Sequence, residues 1–376
     1  MPPETHMKPV VSFVVPCYRL AHLLPECIHS ILAQTYRDFE ILIMDNCSPD
    51  DTPEVARSFN DPRIRHIRNE VNIGHIRNFN KGIELSRGEY VWWISPDDLL
   101  NSTRVLERFV DVMARNRGVG YVFCRCLELK DEIQGGIAGW TDCGEEDRIW
   151  QGREFLARLV NFNCIALSSG MVRRECYEKV GLFPLDLVHA GDWYLWCLMA
   201  LYYDVAYLAE PMVCWRNHAE TLTASFQHDD AGICMGEELA VLWRVRQQAE
   251  LAGGSTLRSI FRAGLAGRGL RALHTAPAVG QRSAIDEAEF ETALRAHVTD
   301  LKEFDLVRAQ LYSGRAEQQF WRGEFSAARQ SYQRALRIQP WCLSAWTKYL
   351  LLRMDGIGLL LRRLFRQLRR AVKYAQ

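Results

Sequence analysis

The chain has no excess charge of either sign. Its 46 Lys and Arg are matched by 46 Asp and Glu, so no overall field argues for nucleic acid as a partner. It also lacks a long apolar run. No stretch of about 18 uninterrupted apolar residues occurs, which excludes an expected membrane span; the longest candidate, Trp193 to Leu208, is broken by Asp204. The first residues, Met1 to Pro9, are polar and proline-rich without the apolar core of a signal peptide, and this predicts a cytoplasmic protein. Its twelve cysteines are expected to be reduced thiols in that setting. Cys124-x-Cys126 lacks the second ligand pair a zinc site needs and reads as buried free cysteine. Finally, the turn after the first expected strand, Pro16-Cys17-Tyr18-Arg19, contains no glycine, which excludes a Rossmann dinucleotide site.

What is present begins with a regular alternation. Val10 to Val15, Phe39 to Met44, Ile64 to Ile67 and Tyr90 to Ile94 read as strands. Helical spacing covers Leu24 to Gln34, Thr52 to Phe59 and Ile76 to Leu85 between them. This β-α order predicts an α/β domain with a mostly parallel sheet flanked by helices. Further on, a helix is expected from Ser102 to about Asn116, a strand over Gly120 to Leu127, and an acidic, Gly-rich loop over Asp131 to Asp147. A helix near Arg153 to Val160, a strand over Ser168 to Arg173, a helix from Gly191 to about Tyr202 and two strands, Val205 to Leu208 and Met212 to Trp215, complete the domain.

At 376 residues there is room for two or three domains. The divisions expected are an α/β domain over 8–226, a helical domain over 227–348 and a terminal helix over 353–376. Gly253 to Ala278, rich in Gly, Ala and Arg, is expected to pack loosely. Residues 309–342 carry the spacing of one tetratricopeptide-like hairpin through Ala316, Gly323, Phe325, Ala328, Tyr332, Ala335, Leu336 and Pro340. One repeat cannot bury its own face, so this reads as a helical pair packed on neighbours. In the terminal segment Ile357, Leu360, Leu361, Leu364, Phe365, Leu368 and Val372 share one helical face, opposite Arg362, Arg363, Arg366, Arg369, Arg370 and Lys373. Such a helix either lies on an anionic membrane surface or docks on the protein with its arginines in water.

Chemistry gathers where the expected strands end, the edge at which open α/β sheets bind ligands. Pro16, Cys17 and Tyr18 close the first strand, and Asp45 and Asn46 close the second. Asn72 and Gly74 form a turn into a helix carrying Arg77 and Asn80, a helix start suited to a diphosphate. Ser95, Pro96, Asp97 and Asp98 follow the apolar strand at Tyr90. Adjacent carboxylates there suit Mg2+ or Mn2+ shared with substrate phosphates, or they simply cap the next helix. Asp192 precedes an apolar helix, where it is either a base or an N-cap.

These segments together resemble the family 2 glycosyltransferases, inverting enzymes of GT-A fold. The resemblance covers roughly residues 8–226 and rests on Ser12-Phe13-Val14-Val15-Pro16-Cys17-Tyr18, Ser30 to Tyr36, Phe39 to Ser48, Asn80-Lys81-Gly82-Ile83 and Gly88-Glu89-Tyr90. It implies that Pro16 and Tyr18 line the nucleotide pocket and that Asp45 reads the base. It implies that Asp97 binds the metal directly with Asp98 beside it, although Ser95 stands where a first aspartate often is. Asp192 would be the catalytic base, with Gly191 replacing the usual glutamate, and His218 of Arg216-Asn217-His218 would reach the metal or the diphosphate. The activity implied is metal-assisted transfer from a nucleotide-diphosphate sugar, UDP first among them, to a hydroxyl of a glycan or lipid-linked acceptor at the cytoplasmic membrane face. Two alternatives stay open. One is a catalytically weak scaffold recruiting partners to the membrane, and the other is a nucleotidyltransferase.

Overall fold

Apolar runs in the first half of the chain become strands buried on both faces, as parallel strands under helices must be. The computed structural model describes residues 8–130, 133–218, 231–254, 257–273 and 286–353. Its first strands and helices are β1 (Val11–Cys17), α1 (Leu24–Leu32), β2 (Phe39–Asp45), α2 (Thr52–Ser58), β3 (Ile64–Arg68), α3 (His75–Leu85) and β4 (Tyr90–Trp93). They fall within a few residues of the expected bounds. Pairing of β1 with β2 and β4, and of β2 with β3, is parallel throughout.

The remainder of the sheet departs from that pattern. After β5 (Leu99–Leu100) and α4 (Val105–Arg115) come the long strand β6 (Val119–Lys130), β7 (Ile133–Ile137) and β8 (Arg148–Trp150). Then follow α5 (Gly152–Asn161), α6 (Arg174–Val180) after β9 (Gly170–Arg173), α7 (Gly191–Tyr202) and β10 (Asp204–Arg216). Strand order is β3-β2-β1-β4-β9-β6-β10-β5, with β7 on β6 and β8 on β10. β9 runs antiparallel to both β4 and β6, so the sheet is mixed rather than mostly parallel. Two further differences have local causes. The Gly-rich loop holds β7, which folds back on β6 as a hairpin partner. The two last strands are one, β10, whose register against β6 shifts between Leu208 and Val213 around Pro211.

Because β9 is antiparallel to its two neighbours, β1, β2, β3, β4, β6 and β10 all point the same way. Their carboxyl ends, Cys17, Asp45, Arg68, Trp93, Lys130 and Arg216, share one sheet edge. A single residue, Tyr203, separates α7 from the amino end of β10. The start of α7 therefore lies toward the carboxyl edge.

Two compact units are found, Met1–Asp229 with Gln247–Gly253, and Asp230–Arg246 with Gly254–Gln376. The helices after the sheet are α8 (Ala231–Leu251), α9 (Arg258–Ala272), α10 (Glu287–His297), α11 (Leu301–Arg322), α12 (Phe325–Ile338) and α13 (Leu343–Arg353). Asp286 and Asp300 cap α10 and α11 with their side chains, and Gly323, at φ +86°, ends α11. The expected loose stretch instead contains α9, where Gly269 admits the Phe290 ring; a β-carbon there would stand 2.6 Å from it. Buried Glu303 ties Arg262 (2.9 Å) to Arg246 (3.3 Å). The α11–α12 pair packs through Ala316, Ala328, Tyr332 and Leu336. The basic amphipathic segment, beyond Arg353, lies outside the described residues. No helix among the described residues is long and apolar enough to cross a membrane.

Candidate active site

At the ends of β1, β2 and β3 the polar side chains are tied to one another. Asp45 is fully buried and accepts from Ser48 N–H (2.7 Å), Arg68 Nη1 (2.6 Å) and His66 Nε2 (3.3 Å). Asn46 donates to Asn72 Oδ1 (2.8 Å) and accepts from Asn69 Nδ2 and Ile73 N–H, both at 3.0 Å. Asn69 also donates to Asn78, whose amide donates to Met44 O, and Lys81 donates to Asn69 Oδ1 (2.7 Å). This asparagine lattice fixes the turn into α3, where Gly74 takes φ +82°. Arg77, in the first turn of α3, is exposed with no partner among the described residues. Tyr18 is 38% exposed beneath the Arg19 guanidinium, 5.2 Å from its ring centroid. Arg19 and Cys47 adopt φ +61° and +59°, rare for residues with a side chain and concentrated where function demands them. Neither was singled out by its sequence.

Two expected residues face elsewhere. Cys17 turns its thiol to Thr52 Oγ1 (3.6 Å), and burial pushes that thiol up to about 12. Both polar groups of the Asn80 amide are taken by the Phe183 backbone, at 2.8 and 2.9 Å, so Asn80 clamps α3 to a distant loop.

Beyond β4 the carboxylates divide. Asp97 is 7% exposed; its Oδ2 lies 3.2 Å from His218 Nε2, while its Oδ1 is buried with no hydrogen-bond partner. Asp98 is fully engaged, accepting from Ser168 Oγ (2.5 Å) and Arg216 N–H (2.9 Å). Burial and the neighbouring Asp97 charge push the Asp98 carboxyl well above the usual carboxylate range. Arg216 also donates to Asp97 O (2.9 Å) and to Glu26 Oε2 (2.6 Å), fastening this corner to α1. Ser95 N–H donates to Ser168 Oγ (3.0 Å), and Pro96 is buried beside it. Among the described residues no three His, Cys, Asp or Glu side chains form a cluster able to hold a metal. The expected trio of Asp97, Asp98 and His218 is thus not assembled, because Ser168 and Arg216 claim Asp98. What remains fits a hard divalent ion that draws its other oxygens from phosphates: one unpartnered carboxylate oxygen beside one imidazole.

Asp192 is not an N-cap. Ala190 holds that position and Asp192 sits in the first turn of α7, its Oδ1 accepting from Trp193 N–H (2.6 Å) and its Oδ2 from Asn163 Nδ2 (3.4 Å). Burial outweighs these bonds and raises its carboxyl above the usual range, the direction a general base needs. A β-carbon on Gly191 would lie 3.8 Å from Ile76 Cδ1, so the start of α7 adjoins the first turn of α3. Asn163 and Ser168 are five residues apart, at most about 18 Å of chain. One short segment therefore touches both Asp192 and Asp98. Sequence reasoning missed Asn163, Ser168 and Glu26, since nothing local marks a partner that distant.

The family model for glycosyl transferase family 2 matches residues 12–181. An uncharacterized glycosyltransferase of Rickettsia prowazekii is 27% identical over 223 residues, 57% of this chain and 66% of that protein. One from Rickettsia typhi is 26% identical, over 66% of this chain and 76% of its own. A further relative, from Rickettsia conorii, is matched over only 37% of its length. The chain thus spans less than two thirds of some of the proteins it resembles. Among solved structures, S. aureus TarS 1–349 in complex with UDP-GlcNAc superposes with a TM-score of 0.52 at 12% identity, covering 95% of this chain and 91% of that one. A longer S. aureus TarS structure gives 0.54 at 14% identity, covering 91% and 54%. That likeness is one of fold, GT-A in both cases. With its strand-end aspartates on a mixed α/β sheet, this chain is similar, through residues 12–181, to glycosyl transferase family 2.

Proposed function

We propose that the protein is an inverting glycosyltransferase that moves a sugar from a nucleotide-diphosphate donor, UDP-linked in the first instance, to a hydroxyl of a glycan. Asp97 is the observation that carries this reading. A carboxylate buried to 7% exposure with one oxygen unpartnered is costly unless a ligand completes it.

Asp192 takes the proton of the acceptor hydroxyl as that oxygen bonds to the anomeric carbon. The bond from that carbon to the diphosphate oxygen breaks, its electron pair leaves with the diphosphate, and configuration inverts. Asp97 and His218 would hold Mn2+ or Mg2+, and an ion bound there neutralises charge on the leaving diphosphate as a Lewis acid. Arg77 offers a guanidinium to the same phosphates at the start of α3. Tyr18 supplies the exposed aromatic face for the base, with Pro16 at its strand end, Asp45 beneath and Asn46 and Asn72 shaping the wall. Asp98 keeps the corner in place through Ser168 and Arg216 instead of binding the ion.

The acceptor we assign is a glycan carried on a lipid. The basic amphipathic sequence of residues 353–376 supports this, since each cation near an anionic bilayer adds about 1 kcal/mol. Co-sedimentation with phosphatidylglycerol vesicles, lost on truncation at residue 353, tests that part alone.

The deciding experiment measures thermal stabilisation by UDP-, GDP- and TDP-sugars with and without Mn2+. The UDP-GlcNAc complex of TarS makes that donor the first to try. A Mn2+-dependent shift that disappears in Asp97→Ala is the expected result. No shift with any donor would favour a scaffold. The ion pair that already occupies Asp45 gives that second reading its one foothold.

A further inference from the structure

A cleft of about 300 Å3 opens between the turn at Gly139–Thr141 and the end of α5. Its apolar walls include Trp140 and Phe162, and Asp142 and Arg158 stand at its margin. Phe162 is 48% exposed, so its ring is open to a ligand in the cleft. The Trp140 ring meets Trp215 edge to face at 5.5 Å, on the strand that ends in Arg216 and leads to His218. Phe162 and Cys164 both line the cleft, and the residue between them is Asn163, whose amide donates to Asp192. The cleft therefore adjoins the segment that contacts the base.

From this juxtaposition we infer that the cleft is an acceptor subsite for a pyranose ring of a glycan. The inference rests on the transferase reading above and adds where the acceptor sits. Aromatic walls take the apolar face of a sugar ring, while a carboxylate and a guanidinium take its hydroxyls as acceptor and donor. Arg158 already donates to Asp142 O (3.1 Å), which holds the two sides of the margin together. Asp142 Oδ1 itself accepts from Gly144 N–H (2.9 Å) and faces Arg125 Nε at 3.7 Å, so the margin is polar before any ligand arrives.

The test uses the full chain and methyl pyranosides of glucose, galactose, mannose and N-acetylglucosamine as probes. Saturation-transfer NMR should show at least one of them bound through its ring protons. In Phe162→Ala, a change at a half-exposed site, that signal should fall with affinity about tenfold weaker. Arg158→Gln should weaken the same probe while leaving the Mn2+-dependent UDP shift of wild type intact. Absence of saturation transfer from all four sugars, or equal transfer in wild type and both variants, overturns the subsite. The UDP shift separates the two ideas. If UDP stabilises all three proteins and no pyranoside binds, only the subsite falls. If a pyranoside binds at Phe162 but UDP stabilises none of them, the transferase reading falls and takes the acceptor assignment with it.

Discussion

The two halves of the carboxyl sheet edge are built in opposite ways. At the ends of β1 to β3 the residues come from neighbouring β-α units, and nearly every polar group has a partner: Asp45 with Ser48, Arg68 and His66, and Asn46 with Asn69 and Asn72. Around β4 and β10 the residues come from Glu26, Asp97, Asp98, Ser168, Arg216 and His218, with bonded partners up to 190 positions apart, and one buried oxygen is left over. Local assembly gives a saturated surface, and long-range assembly leaves unsatisfied chemistry where a reaction can use it.

Breaking that contrast should have its largest effect at Asp192. Asp192→Asn is expected to lower transfer by about 10²–10⁴-fold, the range of a general base, with melting temperature held or raised. Because burial raises this carboxyl, the wild-type rate should fall as pH drops through a value above the ordinary carboxylate range, and the variant should lose that limb. The sign for stability is opposite: a raised acid favours the fold fully below its unfolded value, and that contribution is lost as pH rises through the raised folded value.

Next in size is Arg216→Met, which frees Glu26, the Asp97 carbonyl and one side of the corner. Denaturant unfolding should report a loss of about 2–3 kcal/mol, with the Mn2+-dependent shift weakened as well. Ser168→Ala strips Asp98 Oδ2 of its donor and should cost about 1–3 kcal/mol, partly recovered at low pH where Asp98 is protonated. The smallest effect is expected for Arg68→Ala. Its partner Asp45 keeps two other donors and Arg68 is exposed, so denaturant unfolding should report a smaller loss than for Ser168→Ala. A larger loss there than at Ser168 would reverse the contrast.

Legibility in the sequence follows the same division. β1 to β4 and α1 to α3 were readable because each element carries its own period and its own turn. The antiparallel insertion of β9 was not, since Gly170–Arg173 is only four residues and its partners lie some 50 and 80 positions away. β10 read as two strands because Glu210 and Pro211 interrupt its apolar pattern where its register slips. Among site residues, Asp45, Asp97 and Asp192 stood out as carboxylates at strand or helix ends. The loop contact of Asn80 was not readable, because an asparagine in a helix near the edge looks the same whether it holds a ligand or a loop. Asp98 was visible but its engagement was not, for Ser168 reaches it across 70 residues.

α7 and β10 are joined by Tyr203 alone, so Asp192 and His218 stand at the two ends of a single 27-residue cassette, 192 to 218. The end proposed to accept the proton and the end proposed to face the phosphates are inherited together. A recombined enzyme that takes this cassette whole imports both groups in register, and a crossover inside it separates them.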